Sequence, residues 1–189
     1  MLNLNKPTKE QIAAAHGKGV PDVIAPELHV LFCGINPGLY TAATGHHFAR
    51  PGNRFWPTLY RSGFTPRLFS AEEEQLLLPL GYGITNFVDR ATSAAAELQP
   101  QELQQGAQVL QNKLEEYQPE VLAVLGISAY RVAFNRPKAK IGHQMHTIGK
   151  TLVWVLPNPS GLNAHFPPTE LARVFSEFRM AISGYTGNL

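Results

Sequence analysis

The sequence predicts an α/β protein, a three-layer α/β/α sandwich around a central, mainly parallel sheet of four to five strands. Short apolar runs of β-forming residues alternate along the chain with segments whose apolar residues recur at helical spacing. The run 121–125 is apolar at every position and ends at a glycine, which is typical of a parallel strand buried on both faces. Ligands bind such sheets beyond the carboxyl ends of the strands, so the loops that follow the strands form the candidate functional edge.

The composition indicates one globular domain. The chain has 189 residues, of which 44% are hydrophobic, and we predict a single domain over 27–189 after a polar N-terminal extension, 1–26. The net charge of +2 gives no polybasic signature, so charge permits nucleic acid as a ligand without indicating it. The single cysteine, Cys33, excludes a disulfide framework and a cysteine-rich metal centre and favours a reducing, cytoplasmic compartment. No apolar run approaches the roughly 20 residues that a membrane span needs.

Polar residues follow three of the predicted strands. Asn36 lies in a glycine-bracketed Asn-Pro loop after the first strand, Asp89 follows the second, and Asn158 lies in another Asn-Pro loop after the last. Glycine and proline fix the course of such loops, so each presents its side chain in a defined direction. Because parallel strands end at the same edge of a sheet, we expect these three side chains around one cleft. The strands are predicted at about 29–33, 84–88, 121–125 and 152–156.

Helix signals occupy the segments between the strands. Asn53 is a candidate N-cap, and Ser70 with Glu73 forms a capping-box pattern. The segment 44–52 is rich in glycine, proline and ring side chains and is predicted to be a loop that closes over the site. The predicted helices are 53–60, a short one after Ser70, 103–117, 128–134 and 168–182, with at most a short helix near 9–15.

Four short motifs carry a resemblance to a known family. The motifs are Gly-Ile-Asn-Pro-Gly, Gly-His-His-Phe, Pro-Gly-Asn-Arg-Phe-Trp and Asn-Pro-Ser-Gly-Leu-Asn, in this order along the chain. Together they closely resemble the mismatch-specific uracil-DNA glycosylase and thymine-DNA glycosylase family, which lies within the uracil-DNA glycosylase superfamily. The resemblance covers about 24–179. The resemblance implies an enzyme that flips uracil, from a G:U mismatch, or another damaged pyrimidine out of DNA. It then hydrolyses the N-glycosidic bond and leaves an abasic site. It also implies a monomer that needs no cofactor and acts on double-stranded, or else single-stranded, DNA.

The resemblance assigns the two loop asparagines to catalysis. Asn36 is expected to position the attacking water; an amide is no general base near neutral pH, so its contribution is orientation and the enzyme should be slow. Asn158 is expected to donate a hydrogen bond to the base carbonyl, where negative charge develops as the base departs.

Base recognition is expected in and around the Gly-His-His-Phe motif. By resemblance Phe48 stacks on the flipped base, with core packing as its alternative role. Backbone groups of Ile35 and Phe48 and the side chain of His47 are expected to read the uracil edge. The volume near Thr41 should decide between uracil and larger pyrimidines.

The loop after the last strand is expected to contact DNA. Leu162 is the expected wedge, an apolar side chain that enters the stack where the base was. An arginine expected near Ala164 in the bacterial enzymes is missing, so contact with the opposite guanine is lost and mismatch selectivity is expected to be relaxed. The residues assigned to the wedge and to contacts with the DNA backbone are Ser160, Gly161, Leu162, Asn163 and Gly38.

Other roles remain open from the sequence alone. Asp89 is either a base for the water, a stabiliser of the cationic sugar, or a structural carboxylate paired with Arg90. The histidine pairs lack acidic or cysteine partners at ligand spacing, so no metal is predicted. Two rival functions use the same motifs: a non-catalytic binder of mismatched or single-stranded DNA, and a hydrolase of free nucleosides that needs no wedge.

Overall fold

A five-stranded sheet forms the centre of the computed structural model, which describes residues 6–184. The strands lie in the order β2-β1-β3-β5-β4; β1, β2, β3 and β5 are parallel, and β4 pairs antiparallel with β5 at one edge. The predicted fold class, with a mainly parallel sheet between helices, is confirmed. The strands are β1 (Val30–Gly34), β2 (Tyr82–Asn86), β3 (Val121–Leu125), β4 (Gly142–Ile148) and β5 (Thr151–Leu156).

Helices connect the strands and cover both faces of the sheet. They are α1 (Lys9–Ala13), α2 (Leu39–Thr44), α3 (Phe55–Arg61), α4 (Pro100–Tyr117), α5 (Ile127–Ala133) and α6 (Pro168–Ser183), with 3-10 helices at Ala71–Leu80 and Ala95–Glu97. The capping box predicted at Ser70 opens the first 3-10 helix. The N-cap of α3 is Arg54 instead of the predicted Asn53, although the Asn53 side chain accepts a hydrogen bond from the Phe55 amide at 2.9 Å. Helix α2 was not predicted; it is only six residues long and ends at Gly45, whose φ is +77°.

Successive side chains of β1 point to opposite faces of the sheet and pack into a hydrophobic core on each side. Phe32 packs on one side against Phe55, with ring centroids 5.6 Å apart, and against Phe175. Leu31 packs on the other side in a cluster with Leu110 of α4 and with α5. Each such fully buried side chain stabilises the fold by about 1.5–3 kcal/mol. The two cores hold β1 rigidly, and β1 delivers the first Asn-Pro loop.

Two strands differ from the sequence prediction. Strand β4 was missed because it is a polar edge strand, pairing with β5 alone, whose residues alternate between half-buried and exposed. Strand β2 begins and ends two residues earlier than predicted, so Asn86 is its last residue rather than an interior one.

The described part of the predicted N-terminal extension packs on the domain. Val23 is fully buried and pairs with Ile84 of β2 in an antiparallel bridge. The Gly17 amide donates to the Ala91 carbonyl at 2.9 Å, and the Ala91 amide donates to the Lys18 carbonyl at 2.8 Å. The segment 15–23 therefore lies across the loop that follows β2.

Within residues 6–184, none of the helices combines the length and apolar character needed to cross a membrane.

Candidate active site

A cleft of about 300 Å³ opens at the carboxyl ends of the parallel strands. The loops after β1, β2 and β5 form its walls, so the two Asn-Pro loops face one another across it. Of the residues predicted for the site, the cleft is lined by Ile35, Asn36, Gly38, Thr41, His47, Phe48, Asn158, Ser160 and Leu162.

Asn36 is held in one orientation by two hydrogen bonds. Its Nδ2 donates to the Arg90 carbonyl at 2.9 Å and to Thr92 Oγ1 at 2.8 Å, and the Thr92 hydroxyl in turn donates to the Ala94 carbonyl at 2.9 Å. Since a carbonyl can only accept, the nitrogen of the amide must face Arg90. Both hydrogens of Nδ2 are engaged, and Oδ1 remains as an acceptor at the wall of the cleft.

The side-chain amide of Asn158 is oriented the opposite way, with its oxygen bound to the protein and its nitrogen free for the cleft. Its Oδ1 accepts a hydrogen bond from the Ser160 amide at 2.9 Å, so the oxygen is committed to the loop. The Nδ2 group, which can only donate, remains for the cleft that the residue lines. One wall thus offers an acceptor on Asn36 and the facing wall offers a donor.

Phe48 adopts a left-handed backbone conformation with φ of +55°, which costs about 1–2 kcal/mol for a residue with a Cβ. The backbone of the preceding residue is held on both sides: the His47 amide donates to Glu74 Oε2 at 2.8 Å, and the His47 carbonyl accepts from Trp56 Nε1 at 3.1 Å. The Phe48 ring stacks on Phe55 with centroids 4.1 Å apart and also lines the cleft. The ring therefore packs on the core and remains available to the cleft.

His47 is buried, and its ring is tied to the N-terminal segment. Nε2 lies 2.9 Å from the Pro21 carbonyl, which requires Nε2 to carry the proton and donate. His46 lies beside it and contacts Glu74 through Nδ1 at 3.0 Å. The Nε2 donor of His47 is therefore used by the fold, although the sequence predicted that this side chain reads a base.

The loop after β5 presents Leu162 with 80% of its surface exposed. The loop is braced internally: Ser160 Oγ accepts from the Leu162 amide at 3.2 Å, and Asn163 Nδ2 donates to the Asn158 carbonyl at 3.0 Å. Asn163 Oδ1 also accepts from the His165 amide at 3.2 Å. The Asn163 side chain thus shapes the loop instead of pointing freely toward a ligand.

Asp89 lies outside the cleft, contrary to the expectation from strand order. Because β2 ends at Asn86, the chain has turned under the N-terminal segment before it reaches Asp89, which lines a separate depression with Gly19 and Lys113. Arg90 does not pair with it; the guanidinium hydrogen-bonds Glu102 at 2.6 Å and holds the pKa of that carboxyl at about 2. Among the described residues that line the cleft, none has a carboxylate.

Asn86 and Thr92 line the cleft and were missed as site residues. Asn86 is 7% exposed, and its side-chain amide has no hydrogen-bond partner among residues 6–184. A Cβ on Gly34 would lie 2.4 Å from Asn86 Oδ1 and 3.4 Å from the Phe48 ring, so glycine is needed where the amide and the ring meet. The signal in the sequence was the strand end itself, which the prediction placed two residues too late.

The described residues offer no metal site and no reactive thiol. Residues 6–184 contain no group of three His, Cys, Asp or Glu side chains that could hold a metal ion. Cys33 is fully buried in β1, and burial raises the pKa of its thiol far above the ordinary value. Cys33 is therefore a core residue.

The chain belongs to the uracil DNA glycosylase superfamily, whose family model matches residues 21–179. This membership makes the chain a DNA glycosylase by class, and the polar cleft at the carboxyl edge of its sheet is the candidate active site. A solution NMR structure of a candidate uracil DNA glycosylase from Methanosarcina acetivorans shares the fold, with a TM-score of 0.56 and 19% sequence identity. The match covers 86% of this chain and 98% of that one.

Proposed function

We propose that this protein releases uracil from DNA, with preference for mismatched G:U sites, by hydrolysing the N-glycosidic bond with a water positioned by Asn36. The observation that carries the proposal is the fixed amide, whose Nδ2 is held by Arg90 and Thr92 while Oδ1 remains an acceptor. With no carboxylate lining the described cleft, catalysis depends on orienting the water rather than on removing its proton. The expected consequence is a low turnover rate.

Charge development in the reaction fits the polarity of the two walls. The sugar becomes cation-like and the departing base becomes anionic, so a donor aimed at a base carbonyl stabilises the transition state. Asn158 Nδ2 is the proposed donor because its Oδ1 is already engaged by Ser160. The departing uracil takes up a proton, and the hydroxyl from water bonds to the anomeric carbon.

Base recognition in this proposal uses Phe48 and Asn86. The Phe48 ring stacks on the flipped base, a contact worth about 1–3 kcal/mol per base. The Asn86 amide offers an acceptor and a donor, which complement the N3–H and O4 of uracil. Thr41, which is buried beneath the cleft, limits the space for substituents on the pyrimidine.

Extrusion of the base from a duplex is assigned to Leu162. A large apolar side chain held 80% exposed gains burial when it enters the base stack. Flipping costs a few kcal/mol and costs least at a weak pair, so a wobble G:U pair should be opened more easily than A:U.

Uracil release tests the proposal directly. Labelled oligonucleotides with uracil opposite guanine, opposite adenine and in a single strand are incubated with the protein, and abasic sites are cleaved with alkali. Release from G:U should be faster than release from A:U, and Asn36→Ala should lower it by about 100-fold.

Three outcomes would contradict the proposal. Binding to the G:U duplex without release would indicate a non-catalytic binder. Cleavage of free deoxyuridine at the rate seen with DNA would indicate a nucleoside hydrolase. Unchanged release by Asn36→Ala would remove that residue from the mechanism.

A further inference from the structure

One arginine outside the cleft holds the loop that carries Leu162. Arg54 precedes α3, and its guanidinium donates to three backbone carbonyls: Nη2 to Gly161 at 3.0 Å, and Nη1 to Asn163 at 3.1 Å and Phe166 at 2.9 Å. The Arg54 amide also donates to the Pro159 carbonyl at 2.9 Å. A single residue therefore makes four hydrogen bonds to the segment 159–166.

The same segment lies tightly on the loop before α3. A Cβ added to Gly161 would lie 2.5 Å from the Gly52 carbonyl oxygen, closer than any side chain tolerates. The glycine lets the two backbones approach, and this approach brings the carbonyls within reach of Arg54.

The planar fork of a guanidinium suits this task. Its N–H donors point in fixed, divergent directions, whereas a lysine ammonium is a single compact donor centre. Arg54 does not line the cleft. Among the described residues its side chain hydrogen-bonds only the segment 159–166, so the influence of the guanidinium on the reaction passes through that segment.

We propose that Arg54 is a positioning residue that preforms the wedge, holding 159–166 so that Leu162 already projects before DNA binds. This inference rests on the proposed function, in which Leu162 enters the duplex. A preformed loop loses less conformational freedom when the wedge inserts, so opening of the duplex is favoured. A single strand needs no wedge, and its uracil should be released with little help from Arg54.

The test compares duplex with single-stranded substrate in Arg54→Lys, which keeps the charge and removes the fork. Single-turnover release from the G:U duplex should fall by about 10- to 100-fold, as for other small displacements of a site, while release from the single strand changes far less. Gly161→Ala should give the same pattern because its Cβ displaces the loop from Gly52. Arg61→Lys, an exposed arginine at the end of α3, is the matched control and should change neither rate.

A fluorescence measurement separates this inference from the proposed function. With 2-aminopurine beside the uracil site in the duplex, the wild-type protein should raise the emission as the stack opens, and Arg54→Lys should not. If the wild type releases no uracil from any substrate, the proposed function fails, and this signal still decides the role of Arg54.

Two results would overturn the role of Arg54. Wild-type duplex activity and emission in Arg54→Lys would show that charge suffices and that the fork is not required. Equal losses on duplex and single strand would assign Arg54 to general stability, which the thermal unfolding midpoint of the variant would also report.

Discussion

The hydroxyl of Thr92 provides the sharpest test of how Asn36 works. Thr92 is 1% exposed, accepts one hydrogen of Asn36 Nδ2 and donates to the Ala94 carbonyl. Thr92→Val keeps the shape and volume of the side chain but removes both hydrogen bonds. The Arg90 carbonyl then remains the sole anchor of the Asn36 amide among the described residues.

The expected loss follows from the hydrogen bonds removed. A partly buried donor left without its acceptor costs about 1–3 kcal/mol, and if that restraint is what fixes Oδ1, the rate falls by about 5- to 150-fold at about 1.4 kcal/mol per factor of ten. Affinity for DNA should not change, because valine keeps the volume of Thr92 at the wall of the cleft and the lost hydroxyl was engaged within the protein. Thr92→Ser retains the hydroxyl and should retain most of the rate.

Single-turnover uracil release from a G:U duplex, with binding measured separately by fluorescence anisotropy, distinguishes these outcomes. A Thr92→Val variant with the wild-type rate would refute the argument that a doubly anchored amide positions the water. Equal losses in the valine and serine variants would point to packing rather than the hydroxyl.

Three further predictions concern residues outside the cleft. In Gly106→Ala, the new Cβ would lie 2.1 Å from the Phe87 carbonyl oxygen. The cost of overpacking, about 1–3 kcal/mol, should exceed the gain in helix propensity of about 1 kcal/mol. Urea denaturation should therefore show a lower free energy of unfolding, and a more stable variant would contradict this. Glu74→Ala removes the acceptor of the His47 amide. It should lower the stability of the fold by about 1–3 kcal/mol and should also lower the rate of uracil release. Glu74→Gln keeps an acceptor oxygen and should lose less of both, as thermal unfolding and the release assay will show. Asp89→Asn should leave uracil release unchanged because Asp89 lies outside the cleft, and a tenfold fall would restore it as a catalytic candidate.

The parts of the fold set by buried apolar patterning could be predicted from the sequence. The fully apolar run of β3 and the strands that lead into the loops with Asn36 and Asn158 follow from local residue preference. Strand β4 could not be predicted because only its pairing with β5 makes a strand of a polar, half-exposed segment.

The site residues in the two Asn-Pro loops could be predicted from their motifs. The site residues whose placement depends on where a strand ends could not. The prediction ended β2 two residues too late. It therefore placed Asn86 inside the strand and Asp89 at the cleft. The packing of the N-terminal segment could not be predicted from its prolines and polar residues, since its contacts with Ile84 and Ala91 are tertiary. The hydrogen bond from Arg54 to the Gly161 carbonyl joins distant parts of the chain, so no local sequence pattern predicts it.

The attachment of the N-terminal segment to the loop after β2 has a consequence for how the molecule assembles during synthesis. Residues 17–23 leave the ribosome before their partners at Ile84 and Ala91, and those partners leave it before β3, which pairs with β1. The N-terminal segment and β2 can therefore associate before the centre of the sheet is complete. The loop that carries Asn158 follows β5 and is made later still, so a partly synthesised chain can hold one wall of the cleft and lack the facing one.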